Sequence, residues 1–340
     1  MGCMFCFSEE NLTTEHIFPA FMGGDLCVLN GSCTKCNRDF GVYEGTIKKK
    51  ALSLLNLLGI KNRYGNIPNV PLTGAEIRGM DMKNLNAFRD GAGQINLTDV
   101  VVDSTTPDGR MLRQGFFISE GAGPKFVERA RAKGLDVIER GVPEKIVVEA
   151  TFTITLQFAF SIETRKVVAK IALAAIAHRY GLAFASSRQF DDLRRRKSVP
   201  AAEGVRVWIF ANEAFMTVHS RTAYQHSVMC YLSTGMHKGW ALVTLFGGIS
   251  YLVELTTEYA ESESRQFSIF YDASSKGCFN PIVLCDEMTI IGHVLSSHEV
   301  TKFEDRSATE AQWFPIIAAF SAERGFETSR TRPENAPPPI

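Results

Sequence analysis

TTEHIFPAFMGG, Thr13 to Gly24, sets an ionisable Glu15-His16 pair directly before the apolar run Ile17-Phe18-Pro19. A carboxylate and an imidazole beside a buried-looking segment need either partners or a task. Two cysteine pairs of identical spacing bracket the stretch, Cys3-x2-Cys6 and Cys33-x2-Cys36, with twenty-six residues between them. Two such knuckles supply four thiolates, the complete tetrahedral set of a closed structural zinc site. Four unrelated buried cysteines would not explain the repeated spacing. The spacer has room for a β-hairpin, with Gly23-Gly24 helping it turn. Cys27, a fifth thiol without a paired partner, reads as structural.

The whole chain, 340 residues, is long enough for two domains, and 45% hydrophobic with 22% charged residues excludes wholesale disorder. Lys plus Arg balance Asp plus Glu at 37 each, so any phosphate-binding face must be local. The start MGCMFCF lacks the basic and apolar regions of a secretory signal, and Cys6 stands where a myristoylation motif needs Ser or Thr. With no export signal, clustered cysteines point to metal rather than disulfides, and the expected setting is cytoplasmic with no membrane partner. Cys230, Cys278 and Cys285 sit in apolar contexts and read as buried free thiols.

The expected fold class is α+β: a small N-terminal unit over 1–62, a linker over 63–75, a larger mixed domain over 76–325 and a disordered tail over 326–340. A helix is expected from near Cys36, its apolar face supplied by Ala51, Leu54, Leu55 and Leu58, with a weak point near Gly45. GNIPNVPLTG, Gly65–Gly74, carries the turn chemistry of the linker. Lys145–Phe160 reads as a strand pair or one long strand. Ser161 as N-cap, Glu163 in the first turn and Gly181 past the end delimit a second helix. A shorter helix is expected before Pro200, then mostly strands from Val205 to about Ile291, including ALVTLFGGISYLVEL as two buried strands. A further helix is expected around ATEAQWFPIIAAF, split by Pro315.

The order C-x2-C, Glu-His-Ile-x-Pro, Gly-Gly, C-x2-C-Asn, Phe-Gly resembles the HNH endonuclease family, in the branch whose ββα-metal core is braced by four cysteines. The resemblance spans residues 3 to about 45. It implies a structural Zn2+ on Cys3, Cys6, Cys33 and Cys36, and His16 as the general base that activates water. It implies Glu15 and Asn37 as oxygen ligands of a catalytic Mg2+ or Mn2+, ions that prefer such donors. Asn30 is the candidate for the family's middle asparagine, although it lies closer to the second knuckle than usual. Adjacent strand residues face opposite ways, so Glu15 and His16 converge only if the strand ends or twists there.

Around this core, Lys35 and Arg38 are candidate phosphate contacts, with a plain charged helix start as the alternative. Asp39 and Glu44 read as solvated helix positions rather than further ligands, and Lys48-Lys49-Lys50 as a solvated face. Arg194, Arg195, Arg196 and Lys197 form the strongest basic cluster. It suits either nucleic acid or a salt-laced helix with Asp191 and Asp192. His219, His226, His237, His293 and His298 lack metal-ligand spacing and read as core or surface residues. The expected activity is phosphodiester hydrolysis on nucleic acid, DNA favoured over RNA, in a defence or restriction setting. The alternatives are a zinc-stabilised nucleic-acid-binding adaptor without chemistry, and a nuclease gated by a small-molecule ligand or protein partner of residues 76–325.

Overall fold

The computed structural model describes residues 2–62, 64–77, 85–97, 100–105, 108–109, 111–116, 121–135, 137, 148–151, 154, 157–198, 200, 203–209, 223–278, 314–315 and 318. His219, His293, His298, Cys285 and the tail 326–340 lie outside them. So does the helix expected around Pro315, apart from Phe314, Pro315 and Ala318. The described residues mix helix and strand, a small strand–helix unit first and a sheet-rich region after it. They divide into two compact units: Met1–Ala51 with Ile60–Tyr64 and Leu156–Ile340, and Leu52–Gly59 with Gly65–Thr155.

The chain opens with an antiparallel hairpin of β1 (Leu12–His16) and β2 (Cys27–Cys33). Its register is broken between Thr13 and Glu15, where β2 bulges through Leu29, Asn30 and Gly31, and Asn30 takes φ 56°. Asparagine is among the few non-glycine residues that accept this left-handed geometry readily. Helix α1 (Thr34–Lys50) follows at once, capped by the Cys33 sulfur, which accepts the Cys36 N–H at 3.5 Å. It runs unbroken through Gly41 and Gly45, and the break falls at Ala51 instead of the expected Gly45. A lone glycine costs a helix only about 1 kcal/mol, too little to end one that packs along its length.

The second unit begins with α2 (Leu52–Leu57), whose Leu54, Leu55 and Leu57 are buried. β3 (Val70–Ile77) starts inside the Gly65–Gly74 stretch read as linker, so those residues carry part of a sheet. That four-stranded sheet has the order β5-β4-β3-β8, with β4 Leu85–Arg89, β5 Ile95–Leu97 and β8 Val148–Thr151. A separate pair joins β6 (Val100–Thr105) to β7 (Met111–Phe116), and α3 spans Ala122–Ala132. Buried Asn56 ties the unit together, donating to Pro68 O at 2.7 Å and accepting from Arg89 Nη1.

The first unit resumes before α4 (Ile162–Tyr180) with a short 3-10 turn at Gln157–Phe160, where a strand end was expected. The Ser161 hydroxyl accepts the Thr164 N–H at 3.3 Å, and Gly181 at φ 88° ends the helix, both as the sequence signals. α5 (Leu182–Ala185) and α6 (Asp191–Arg195) follow. The expected single helix before Pro200 is in fact α6 flanked by 3-10 turns at Arg188–Phe190 and Arg196–Ser198. β9 (Val207–Ile209), β10 (Gln225–Ser233), β11 (Lys238–Leu245), β12 (Ile249–Thr256), β13 (Arg265–Asp272) and β14 (Gly277–Cys278) form an antiparallel sheet in the order β14-β13-β10-β11-β12-β9. The turn from β11 to β12 places Phe246 at φ 49° and Gly247 at φ 69°, the hand that suits a tight hairpin.

α4 is buried on every side from Thr164 to Ala177. Such a helix must be covered all round. Here α1, β1 and β2 cover it on one side and the six-stranded sheet on another. Cys230 is buried as expected, while Cys278 is exposed on an edge strand, correcting the expectation for that thiol.

Candidate functional site

The two knuckles meet. The sulfurs of Cys3, Cys6, Cys33 and Cys36 all lie within 4.8 Å of one another, and those of Cys6 and Cys33 are 3.5 Å apart. Zinc–sulfur bonds of about 2.3 Å in a tetrahedron set sulfurs about 3.8 Å apart, so the donor set fits one structural zinc ion. Local backbone makes the first knuckle possible. Phe7 adopts φ 63°, the Phe7 N–H donates to Cys3 O at 2.8 Å, and the Cys3 N–H donates to Ser8 O at 2.8 Å. The Met4 N–H donates to Gly31 O at 3.0 Å, fastening this knuckle to the β2 bulge. A hydrogen bond from the Cys36 thiol pulls Cys3 down to about 5, and the same bond, with burial, pushes Cys36 up.

At the other end of the hairpin, Glu15 is buried. One of its oxygens, Oε1, lies 2.6 Å from Lys170 Nζ, which also reaches Glu44 Oε1 at 2.7 Å. Burial opposes the charge on Lys170, but Glu44 and Glu15 overcome it and hold its pKa above the ordinary lysine value. Gly31 lets the strands close here, since a Cβ on it would sit 3.0 Å from Glu15 Cβ. His16, the last residue of β1, is half-buried opposite Cys27. Asn37 is exposed in the first turns of α1, its Nδ2 donating to Thr13 Oγ1 at 3.2 Å; Thr13 in turn donates to Ser32 O at 3.1 Å. Asn30, Lys35 and Arg38 are exposed. Among the described residues no hydrogen bond or ion pair joins Glu15, His16 and Asn37 to one another. What the structure adds to them is a fourth residue, Lys170, on the Glu15 carboxylate.

The oxygens still suit a hard divalent ion. Among the described residues Glu15 Oε2 is buried with no hydrogen-bond partner, an oxygen donor of the kind a hard cation takes. Thr13 holds the Asn37 nitrogen, which directs the amide oxygen away from it. Lys170 takes the other Glu15 oxygen and so reduces the charge the carboxylate offers.

The residues read as solvated are engaged. Asp39 Oδ2 lies 2.6 Å from Lys197 Nζ, which lowers the Asp39 pKa, and Glu44 is held by Lys170. The basic run Arg194–Lys197 does not form an open cationic face. Arg194 and Arg196 are buried; Arg194 donates to Ala185 O and Ser187 O, pairs with Asp191, and covers the Phe7 ring at 4.6 Å. His226, read as core or surface, is a core residue that grips the hairpin loop. Its Nε2 donates to Met22 O at 3.1 Å while Nδ1 accepts the Phe246 N–H at 3.2 Å, and Phe18 stacks on its ring at 5.3 Å. Burial lowers its pKa to about 4. Beside it the Tyr271 hydroxyl donates to Gly23 O and accepts the Asp25 N–H.

Comparison with known proteins bears on the first forty-odd residues alone. Residues 3–43 match the family model for HNH endonuclease. The match ends within α1 and covers a small part of the chain, spanning both knuckles, Glu15, His16, Asn30 and Asn37. No curated protein and no solved structure matches the chain. Lys170 and Lys197 lie outside the matched segment. The signal for Lys170 was a lone charge inside the apolar helix VVAKIALAAIAHRY, which demands a buried counter-charge. Among the described residues no helix is long and apolar enough to cross a membrane.

Proposed function

We propose that the chain is a divalent-metal-dependent nuclease of the HNH type that hydrolyses phosphodiester bonds, with DNA favoured over RNA. The observation that carries the reading is the family match over residues 3–43, which sets a closed four-sulfur cluster and the Glu15-His16 strand end in one small unit. Zinc in the sulfurs holds the ends of the hairpin. A Mg2+ or Mn2+ ion on Glu15 Oε2 and the Asn37 amide oxygen would neutralise charge on the phosphate and on the departing oxygen. His16 takes the proton of the attacking water, work to which a neutral imidazole is suited. Exposed Lys35 and Arg38 hold backbone phosphates, and Asn30 fixes the shape of the β2 bulge. The larger sheet region selects substrate or restrains cleavage.

The test is plasmid nicking with Mg2+ or Mn2+ against an EDTA control. The reading expects metal-dependent nicking, and His16→Ala should lower it at least about 100-fold with zinc content unchanged. Cleavage that survives His16→Ala removes the imidazole from the chemistry. A second reading is favoured by the Lys170 contact: with Glu15 committed to an internal cation, the unit is a zinc-braced nucleic-acid binder without chemistry. Tight binding with no scission at any divalent concentration supports that alternative.

A further inference from the structure

The basic run Arg194–Lys197 packs against the cysteine cluster. We propose that Lys197 is an outer-layer residue of the zinc centre, holding the Cys36 thiolate in place and offsetting its charge. Four thiolates around Zn2+ carry a net charge of minus two, and a neighbouring cation or N–H donor steadies such a site. Lys197 Nζ lies 3.4 Å from Cys36 Sγ and 2.6 Å from Asp39 Oδ2. The lysine is therefore aimed, since Asp39, one helical turn beyond Cys36, fixes the far side of the ammonium. The backbone of the residue is held as well, its carbonyl accepting from the Tyr43 hydroxyl at 3.2 Å. The same run reaches the other knuckle, where Arg194 covers Phe7, the residue after Cys6. A segment far along the chain thus grips both cysteine pairs.

The inference rests on the four sulfurs holding zinc and not on nuclease chemistry, so its readouts are zinc release and a metal spectrum. In the full-length protein, Lys197→Met should release zinc to a chromogenic chelator about 10-fold faster or more, the range that loss of an outer partner costs a metal site. Lys197→Arg should remain within about 3-fold of the natural chain. Arg195→Ala, an exposed neighbour paired with Asp192, should change nothing. With Co2+ in the site, Lys197→Met should move the sulfur-to-metal charge-transfer band to longer wavelength, because a sulfur that loses its hydrogen bond gives up electrons more easily. A merely structural lysine would leave that band in place. Should Lys197→Met not fold, Lys197→Gln supplies the same two readouts with an amide donor and no charge, and should release zinc faster than the natural chain. Unchanged release and an unchanged band in either folded variant overturn the role of Lys197. A natural chain that retains no zinc and takes up no Co2+ overturns the zinc reading as well.

Discussion

The sulfur end and the carboxylate end of the N-terminal hairpin are built on different plans. At the sulfur end each pair of ligands comes from residues three apart, the first set by a backbone loop and the second by the capped start of α1. At the carboxylate end Glu15 finds its partner on α4, beyond the whole second unit. The difference teaches how far each charge can look for its compensation. Thiolates gathered around a divalent ion take most of their compensation from that ion, with Lys197 as a supplement, whereas a carboxylate buried by packing waits for whatever cation the tertiary fold delivers.

Breaking the sulfur end should produce the largest effect. Cys36→Ser, or stripping metal with a strong chelator, should unfold the hairpin and α1, because structural zinc in small units supplies on the order of 10 kcal/mol of folding energy. Circular dichroism and zinc content measured together would show it, and a metal-free chain with an intact spectrum would contradict it. Breaking the carboxylate end should cost less. Lys170→Met leaves buried Glu15 and half-buried Glu44 without their cation, a loss of about 3–5 kcal/mol in urea unfolding. Adding Glu15→Gln should restore part of it, and a cost for Lys170→Met below about 1 kcal/mol would mean the pair is not closed in solution.

Acid sharpens the comparison at the loop between the two ends. His226 has its folded pKa lowered to about 4 from 6.5, so the unfolded chain binds the proton first and stability falls as pH drops through that window. Relative to His226→Gln, the natural chain should lose about 2 kcal/mol between pH 7 and pH 5. Equal slopes for both chains would place the imidazole in water. The smallest stability effect belongs to His16→Ala. A half-buried ring with no hydrogen bond among the described residues should cost under about 1 kcal/mol, although cleavage depends on it under the proposed function.

What could be read from the chain follows the same division. The knuckles, the Ser161 cap, the Gly181 stop and the two strands of ALVTLFGGISYLVEL rest on short-range rules, and the structure shows each of them. The end of α1 at Ala51 was not legible, because packing along a helix outweighs the small penalty of Gly41 and Gly45. Nor was the sheet in 70–77, where Pro71 and Gly74 carry turn chemistry that pairing with β4 and β8 overrides. For Arg194 to Lys197 the salt-laced helix with Asp191 and Asp192 is the reading the structure shows, but the choice between it and a cationic face was not legible for a different reason. A run of cations states a charge but not which way each side chain points, and here Arg194, Arg196 and Lys197 turn inward.

The grip of the sheet on the hairpin loop has a practical corollary for anyone who wishes to transplant the N-terminal hairpin and helix. Gly23 approaches Ala273 so closely that a Cβ on it would stand 2.8 Å from that side chain, with Phe18 and Met22 buried alongside. A fragment cut after residue 62 would bare that apolar loop to water and strand Glu15 without its ammonium. The portable piece is therefore the first unit as a whole, α4 and the six-stranded sheet included.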